Sequence, residues 1–136
     1  MSRLIINASN LKTGGALQVA TSFLEGLKNF EQNNYFVFLP PILYNSIKKK
    51  SYSNNITFYQ VNNPPVIPVF SNILKKLSLL EAEIKPDCVF SLFGPTYWKP
   101  KSWHVMGFAN GLYLYDDLPY IKKLSGVSRL VFNLKK

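Results

Sequence analysis

The alternation of short, continuous apolar runs with segments of helical periodicity is the feature that most constrains the fold of this chain. The apolar runs predict five strands, at residues 3–8, 35–39, 56–61, 87–92 and 104–109. Strands that are apolar along their whole length are buried on both sides, which is typical of a parallel sheet covered by helices. The pattern therefore predicts an α/β fold with a doubly wound parallel sheet.

Helical spacing predicts the connections between these strands. Apolar residues at 16, 19, 20, 23, 27 and 30 have the spacing of an amphipathic helix, and further helices are predicted at about 42–49, 70–84 and 118–134. Pro40 and Pro41 end the second strand, and Pro86 ends the third helix. Because the last helix leads to no further strand, we expect one domain, residues 1–136, that is incomplete at its C-terminus.

The length and composition fit a single folded domain. With 136 residues, of which 47% are hydrophobic, the chain can bury roughly two thirds of the surface that its unfolded form exposes. The apolar run after Arg3 is too short for a signal peptide, and the apolar patch at 35–44 is too short to span a bilayer. These features predict a cytoplasmic protein, either soluble or peripherally bound at the inner face of a membrane.

A formal charge of +9 favours anionic partners such as phosphates, acidic lipid headgroups or nucleic acid. For each basic cluster, a solvated lysine-rich surface is the alternative interpretation. Nucleic acid is disfavoured, because the aromatic residues do not form the basic pattern of single-strand-binding proteins. The clusters at 48–50 and 122–123 are suited to hold the protein near an anionic membrane surface.

Cys88 and His104 are the only residues of their types. Cys88 lies in an apolar run, which predicts a buried structural thiol in a reducing compartment, and its neighbours indicate neither a metal site nor a catalytic dyad. His104 begins the fifth predicted strand, at the end away from the expected cleft. We interpret it as a surface or internally hydrogen-bonded histidine.

A glycine pair separates the first strand from the first helix, within NASNLKTGGALQVA (residues 7–20). Ligands of open parallel sheets bind beyond the carboxyl ends of the strands, where Gly14 and Gly15 are expected to lie. Glycine lets the backbone approach a ligand closely, and a helix N-terminus offers unpaired N–H groups to an anion. The turn predicts a phosphate or pyrophosphate site, and a tight turn without a ligand is the alternative.

Two common nucleotide-binding motifs are absent. The chain has no G-x-G-x-x-G fingerprint, and its second strand ends in Leu39–Pro40 where an acidic ribose partner would be expected. The P-loop pattern G-x-x-x-x-G-K-[ST] is missing too. A nicotinamide-dependent dehydrogenase and a P-loop ATPase are therefore disfavoured.

The loops at 93–100 and 110–117 combine aromatic side chains with hydroxyl, amide and carboxylate groups. Such a mixture suits a sugar, which has apolar ring faces and a rim of hydroxyls. Packing of the aromatic residues over the edge of the sheet is the alternative. Asp116 and Asp117 are candidates for a catalytic base or a hydroxyl contact, and a helix cap is their alternative role.

Taken in order, these segments resemble the N-terminal half of bacterial "group 1" type glycosyltransferases. The resemblance rests on INASN (6–10), GGALQVA (14–20), KPD (85–87) before VFS (89–91), FGPTYW (93–98) and MGFA (106–109), and it spans nearly the whole chain. Members of this family have the GT-B fold, in which two Rossmann-like domains face each other across a cleft. The resemblance implies a Rossmann-like sheet in the acceptor-side domain of such an enzyme.

By this resemblance, the chain would take part in transferring a sugar from a nucleotide-sugar donor to a hydroxyl of a glycan or lipid-linked acceptor. The nucleotide sugar is a co-substrate, and no cofactor or metal is implied. Gly14 and Gly15 would face the donor phosphates, with Lys12 as a charge partner. The residues implied in acceptor binding are Asn10, Gly94, Thr96, Tyr97, Trp98, Asn110 and Tyr113.

The chain departs from the family in one respect. The paired glutamates of the donor-binding C-terminal domain, seven residues apart, have no counterpart among Glu25, Glu31, Glu81 and Glu83. We therefore expect the chain to be inactive alone and to need a C-terminal donor domain in cis or in trans. The alternative is a non-catalytic α/β binding module, either a degenerate fragment or one subunit of a split enzyme.

Overall fold

The computed structural model describes residues 1–65, 71–108, 119, 123 and 125–135. The first half of the described chain alternates strand and helix without exception. The elements in chain order are β1 (Arg3–Asn7), α1 (Gly15–Leu27), β2 (Asn34–Leu39), α2 (Pro41–Ile47), β3 (Ile56–Gln60), α3 (Asn72–Ile84), β4 (Cys88–Ser91), β5 (Trp103–Met106) and α4 (Gly126–Lys135).

The five strands form one parallel sheet in the order β3-β2-β1-β4-β5. The central strand is β1, in which Ile5 lies opposite Phe36 of β2 and Val89 of β4. Every hydrogen-bonded pair of strands is parallel. The predicted doubly wound parallel sheet is confirmed, because helices cover both of its faces.

One face of the sheet packs against α1 and α2. Its core contains Ile6 and Val37 from the strands, Leu24 from α1 and Leu43 from α2, all of them buried. Each large apolar side chain that is fully buried contributes about 1.5–3 kcal/mol relative to the exposed state. Helices α1 and α2 are therefore held on this face of the sheet by side-chain packing.

The opposite face packs against α3. Ile5, Phe38 and Val89 from the strands meet Leu77 of α3 in a second buried cluster. Helix α3 begins after Ser71, whose Oγ accepts a hydrogen bond from the backbone N–H of Leu74 at 3.4 Å. A sheet with helical cover on both faces leaves its carboxyl edge, where the loops emerge, as the surface available to a ligand.

The fifth strand differs from its prediction in both bounds and burial. It covers Trp103–Met106 rather than 104–109, and all four of its residues are exposed, with Trp103 at 85%. The apolar run suggested burial, but among the described strands β5 is at the edge of the sheet and pairs only with β4. The prediction that this strand is buried on both sides is wrong.

Two helices also differ in detail from their predicted patterns. In α1 the buried residues are Ala20, Leu24 and Leu27, whereas Val19 is 54% exposed, because the face that meets the sheet is set by packing. In the predicted helix 118–134, Ser125 is not helical and α4 starts at the next residue. The described residues of this segment therefore do not form one continuous helix.

Cys88 is half-buried and unpaired, so its predicted full burial is not observed. Its thiol lies 3.7 Å from the carbonyl oxygen of Val89. Within the described ranges, no helix has the length and apolar character needed to cross a bilayer.

Candidate functional site

The loops that follow β1 and β4 are joined by the side-chain amide of Asn10. Its Nδ2 donates to the carbonyl oxygens of Phe93, at 2.7 Å, and Pro95, at 3.0 Å. Both N–H groups of the Asn10 side chain are thus used inside the protein, and the predicted contact of Asn10 with an acceptor stays a prediction. The Oδ1 atom of Asn10 is buried and has no hydrogen-bond partner in the described part of the chain.

Asn63, which the sequence analysis did not single out, joins the loop after β3 to the same region. Its Nδ2 donates to the carbonyl oxygens of Ser9 and Leu11, both at 2.8 Å. The loops after β1, β3 and β4 are thus connected by two asparagine side chains. This arrangement gives the carboxyl edge of the sheet a defined shape.

The glycine turn lies at this edge, where α1 begins. Gly14 has φ +73°, a conformation that favours glycine, and both Gly14 and Gly15 are exposed. A Cβ atom built on either residue would meet nothing within 4 Å. Among the residues that the structure describes, no side chain caps this end of α1, and the first turn of the helix contains no acidic residue. The first N–H groups of the helix are therefore not satisfied by a side chain.

The carboxylates of the described chain lie toward the opposite, amino edge of the sheet. Helices α1 and α3 run from the carboxyl edge to the amino edge, because each connects one parallel strand to another. The acidic residues are Glu25 and Glu31 near the end of α1, Glu81 and Glu83 in the last turn of α3, and Asp87 directly before β4. In the described residues, the carboxyl edge carries the exposed Lys12 and no carboxylate.

The loop after β4 is held close to the start of the segment after β5. Gly94 N–H donates to the carbonyl of Gly107, and Gly107 N–H donates to the carbonyl of Ser91, both at 2.8 Å. A Cβ atom on Gly107 would overlap the carbonyl oxygen of Leu92, and one on Gly94 would lie 2.6 Å from the Sδ of Met106. The structure thus gives Gly94 a packing role, and its predicted contact with an acceptor stays a prediction.

Thr96 and Trp98, which the resemblance implied in acceptor binding, are buried at 5% and 4% exposure. Thr96 Oγ1 donates to the carbonyl of Trp98 at 2.8 Å, and Trp98 Nε1 donates to Ser78 Oγ at 3.3 Å. The Trp98 ring lies 6.0 Å from that of Phe38, within the α3-side core. Both side chains therefore pack inside the protein, and their predicted contacts with an acceptor stay predictions.

Tyr97, between these two buried residues, is half-buried and has φ +57°, an unusual conformation for a non-glycine residue. Its position in the loop after β4 places its backbone at the carboxyl edge. The other predicted site residues, Asn110, Tyr113, Asp116 and Asp117, lie outside the described residues. Their predicted roles stay predictions.

A series of hydrogen-bonded polar side chains connects β1, β4 and β5, and the sequence analysis missed it. Asn7 Oδ1 accepts from the Oγ of Ser9 at 2.7 Å, and Asn7 Nδ2 donates to Ser91 Oγ at 3.1 Å. Ser91 Oγ lies 2.9 Å from the Nε2 of His104. Asn7, Ser9 and Ser91 have no exposed surface. The available signal was that Asn7 and Ser91 each end an apolar strand, in paired positions.

His104 is hydrogen-bonded inside the protein, in agreement with its interpretation as an internally satisfied histidine. Although the residue as a whole is exposed, its Nε2 lies against buried Ser91, and desolvation lowers the pKa of the imidazole below its ordinary value of 6.5. The charge of Glu81 opposes this shift. His104 is the second residue of β5, but its ring reaches the last residue of β4.

Glu81 fixes the chain where it enters β5. Its side chain is only 4% exposed, and its Oε1 accepts hydrogen bonds from the backbone N–H groups of Lys101, at 2.7 Å, and Ser102, at 2.8 Å. The carboxylate thereby ties the end of α3 to the strand that carries His104. In the described residues, no group of three or more His, Cys, Asp or Glu side chains is placed to hold a metal ion.

A five-stranded parallel sheet with helices on both faces and a glycine turn between β1 and α1 defines a Rossmann-like α/β protein. Comparison with protein-family models, with curated proteins and with solved structures finds no match to this chain.

Proposed function

We propose that this chain is the N-terminal, acceptor-side part of a nucleotide-sugar-dependent glycosyltransferase that acts in bacterial polysaccharide or cell-envelope glycan synthesis. In this reaction a sugar passes to a hydroxyl of a glycan or lipid-linked acceptor, and a nucleoside diphosphate leaves. The proposal rests on the sequence resemblance and on one structural observation. That observation is the uncapped N-terminus of α1, at an edge of the sheet with no described carboxylate.

The start of α1 has the properties that a diphosphate needs. A helix of this length carries the equivalent of about half a positive charge at its N-terminus. Its first N–H groups are available as donors, apart from that of Leu17, which donates to the carbonyl oxygen of Gly14 at 3.1 Å. Gly14 and Gly15 leave space for close approach, and Lys12 is exposed two residues earlier in the same loop. Donors of this kind would stabilise the charge that develops on the leaving diphosphate.

The acceptor, in this proposal, binds beside the glycine turn. The loops after β1 and β4 are tied together by Asn10, which brings residues 93–95 next to the loop that leads to Gly14. Since Thr96 and Trp98 are buried, their contribution to acceptor binding would be to hold this loop in place. Direct contacts would fall to the backbone of the loop and to half-buried Tyr97.

Binding of a nucleotide sugar to the purified chain tests the proposal. We would record nitrogen–proton correlation spectra while adding UDP-glucose, GDP-mannose, UDP, inorganic phosphate or free glucose. The expected result is that the diphosphate-containing compounds shift the amide signals of Gly15, Ala16 and Leu17, with weak affinity because the donor-binding half is absent. Free glucose should leave these signals unchanged.

A charge variant at the helix start makes the test specific. Gly15→Glu places a carboxylate where the diphosphate would lie, and the open space around Gly15 accommodates it. Ser22→Glu adds the same charge at an exposed position of α1, about 10 Å further along the helix. Gly15→Glu should abolish the shifts and Ser22→Glu should keep most of them. Equal loss in both variants, or no shift of residues 15–17 at about 10 mM ligand, would contradict the proposal.

A non-catalytic binding module is the second candidate, favoured by the lack of a carboxylate among the described residues of the carboxyl edge. The described residues of this edge then offer no carboxylate as a general base, and Asp116 and Asp117, which lie outside the described residues, stay the candidates that the sequence analysis named. The coding sequence immediately downstream distinguishes the two functions. A second Rossmann-like half with two glutamates seven residues apart supports the enzyme, and its absence from the genome supports the binding module.

A further inference from the structure

A cleft lies at the carboxyl edge of the sheet, between the end of β3 and the start of α3. Its volume is about 430 Å³, within the roughly 300–1,000 Å³ that is typical of small-molecule sites. The described residues that line it are Gln60, Val61, Asn62, Asn72, Ile73 and Lys76. The sequence analysis singled out none of them, and the glycine turn is not among them. The cleft is therefore a separate feature of this edge.

The lining of the cleft combines apolar side chains with side-chain amides. Val61 is buried and Ile73 is half-buried. The amides are those of the exposed residues Gln60, Asn62 and Asn72. A sugar ring has apolar C–H faces and hydroxyls that both donate and accept hydrogen bonds, and an amide side chain also does both. The lining therefore suits a sugar ring.

Lys76 determines which charge the cleft favours. Its Nζ donates to the backbone carbonyl oxygen of Gln60 at 3.1 Å, which holds the ammonium group at the end of β3. An ammonium group has three N–H donors, so this hydrogen bond leaves two for a ligand. The described lining residues include no carboxylate. Because hydrogen bonds between charged groups are the stronger ones, a sugar with an anionic group is favoured over a neutral sugar.

The start of α3 favours a carboxylate over a phosphate. Phosphates bind at helix N-termini whose N–H groups are free. At α3 the Oγ of Ser71 accepts a hydrogen bond from the N–H of Leu74 at 3.4 Å, whereas no described side chain caps α1. One ammonium group also balances the single charge of a carboxylate, but not the nearly double charge of a phosphate monoester. The cleft therefore fits a uronic acid better than a sugar phosphate.

The cleft is connected to the loop that leads to the glycine turn. Asn63 follows Asn62 of the cleft and donates to the carbonyl oxygens of Ser9 and Leu11, both at 2.8 Å. Three strand spacings, about 14 Å, separate β3 from β4, whose loop belongs to the proposed acceptor region. This distance exceeds the length of one sugar ring. A molecule that reaches both regions must therefore contain more than one sugar.

We propose that the cleft between β3 and α3 binds a uronic acid residue of an oligosaccharide, with the carboxylate on Lys76 and ring hydroxyls on the amides of Asn62 and Asn72. The cleft thereby recognises a sugar other than the one whose hydroxyl reacts, and the acceptor is an acidic oligosaccharide. The role as acceptor rests on the proposed function. The binding of the acidic sugar depends on neither the glycine turn nor a nucleotide.

Nitrogen–proton correlation spectra of the full chain test this inference. The probes are methyl β-glucuronoside, methyl β-glucoside, glucose-6-phosphate and acetate, each added up to about 20 mM. The glucuronoside should shift the amide signals of Asn62, Ile73 and Lys76. The glucoside should bind about tenfold more weakly, because it cannot accept a charge-assisted hydrogen bond from Lys76. Acetate should cause no shift, because it has no sugar ring to contact the amides.

Two neighbouring lysines of α3 provide a matched pair of variants. Lys76→Gln removes the charge in the cleft, and Lys75→Gln removes the same charge from an exposed residue outside the described lining. Lys76→Gln should weaken glucuronoside binding about tenfold and leave glucoside binding unchanged. Lys75→Gln should change glucuronoside binding less than about twofold, because distant exposed charges are screened. Lys76→Arg keeps the charge and should retain binding.

Four results would overturn the inference. The first is the absence of shifts at residues 62, 73 and 76, and the second is equal affinity for the glucuronoside and the glucoside. The third is equal weakening by Lys76→Gln and Lys75→Gln. The fourth is tighter binding of glucose-6-phosphate than of the glucuronoside, which would make the cleft a phosphate site. Because the nucleotide-sugar titration is followed at residues 15–17, each proposal can fail without the other.

Discussion

His104 Nε2 lies 2.9 Å from the Oγ of Ser91, a residue with no exposed surface. Ser91 Oγ also accepts a hydrogen bond from Asn7 Nδ2, so its own proton needs an acceptor. An unprotonated Nε2 provides that acceptor. Protonation of His104 would turn Nε2 into a donor and would leave the buried Ser91 hydroxyl without this acceptor. The neutral imidazole is favoured first by desolvation, which lowers the pKa of His104.

This relationship predicts that acid destabilises the fold through His104. The folded-state pKa of His104 is lowered, first by desolvation, so the unfolded chain binds this proton at a higher pH than the folded chain does. The free energy of unfolding should therefore fall as the pH drops below about 6.5, and this loss should level off below the folded-state pKa. Urea unfolding between about pH 7 and about pH 5 measures the effect. His104→Gln should flatten the dependence, and an unchanged slope in this variant would refute the assignment.

The hydrogen bonds made by the Asn63 side chain at the carboxyl edge predict that substitutions at two neighbouring asparagines change the free energy of unfolding unequally. Asn63→Ala removes both hydrogen bonds to the carbonyls of Ser9 and Leu11 and should cost about 1–2 kcal/mol of unfolding free energy. Asn62→Ala alters an exposed side chain and should stay within about 0.5 kcal/mol of the parent. Chemical denaturation compares them. Similar values for both variants would mean that Asn63 does not hold the loops together.

Two glycines are predicted to respond with opposite signs to alanine. At Gly107 a Cβ atom would overlap the backbone carbonyl of Leu92, so Gly107→Ala should destabilise the protein by about 3 kcal/mol. Gly26 lies within α1 with nothing within 4 Å of the added atom, so Gly26→Ala should stabilise it by about 0.5–1 kcal/mol. Thermal and urea unfolding of both variants checks the signs. A tolerated alanine at 107 would show that β4 and the segment after β5 are not in close contact.

Glu25 is predicted to titrate far below an ordinary glutamate. Lys28 Nζ, at 2.7 Å, and Lys50 Nζ, at 2.9 Å, lower the pKa of this carboxyl from 4.5 to about 2. Burial, together with the hydrogen bond to Glu25, raises the pKa of Tyr52 to about 12. A carbon-detected NMR titration of Glu25 measures the midpoint. Lys28→Gln should raise it and the exposed Lys49→Gln should not, whereas a midpoint near 4.5 in the parent would show that the pairs do not form in solution.

Most of the fold was predictable because its elements have local signatures. The strands β1 to β4 were recognised as apolar runs, and α3 was correctly ended before Pro86 by the helical spacing and the proline. The glycine turn could be placed at the carboxyl edge because β1 is followed directly by α1 in a parallel sheet. These inferences need only the period of the pattern and the direction of the strands.

The candidate site was predicted less completely, because its contacts join residues that are far apart in the chain. Trp98 looked like a sugar-binding aromatic but packs beside Phe38, sixty residues earlier in the sequence. The side-chain hydrogen bonds of Asn10 and Asn63 join residues that are 83 and 54 positions apart, respectively. A lone asparagine in a loop has no local signature of such a role.

The order of apolar and polar residues determined that this chain forms parallel strands separated by helices. The composition determined that it carries an excess of positive charge. Folding in three dimensions decided which strand lies at the edge, which face of α1 is buried, and which side chains bind each other across β1, β4 and β5. The physical reason is that the spacing of apolar residues shows only whether a strand or helix has an apolar face. The residues that cover this face come from distant parts of the chain. For β5 and α4, the described chain supplies no such cover, so apolar residues that the pattern marked for the core are exposed.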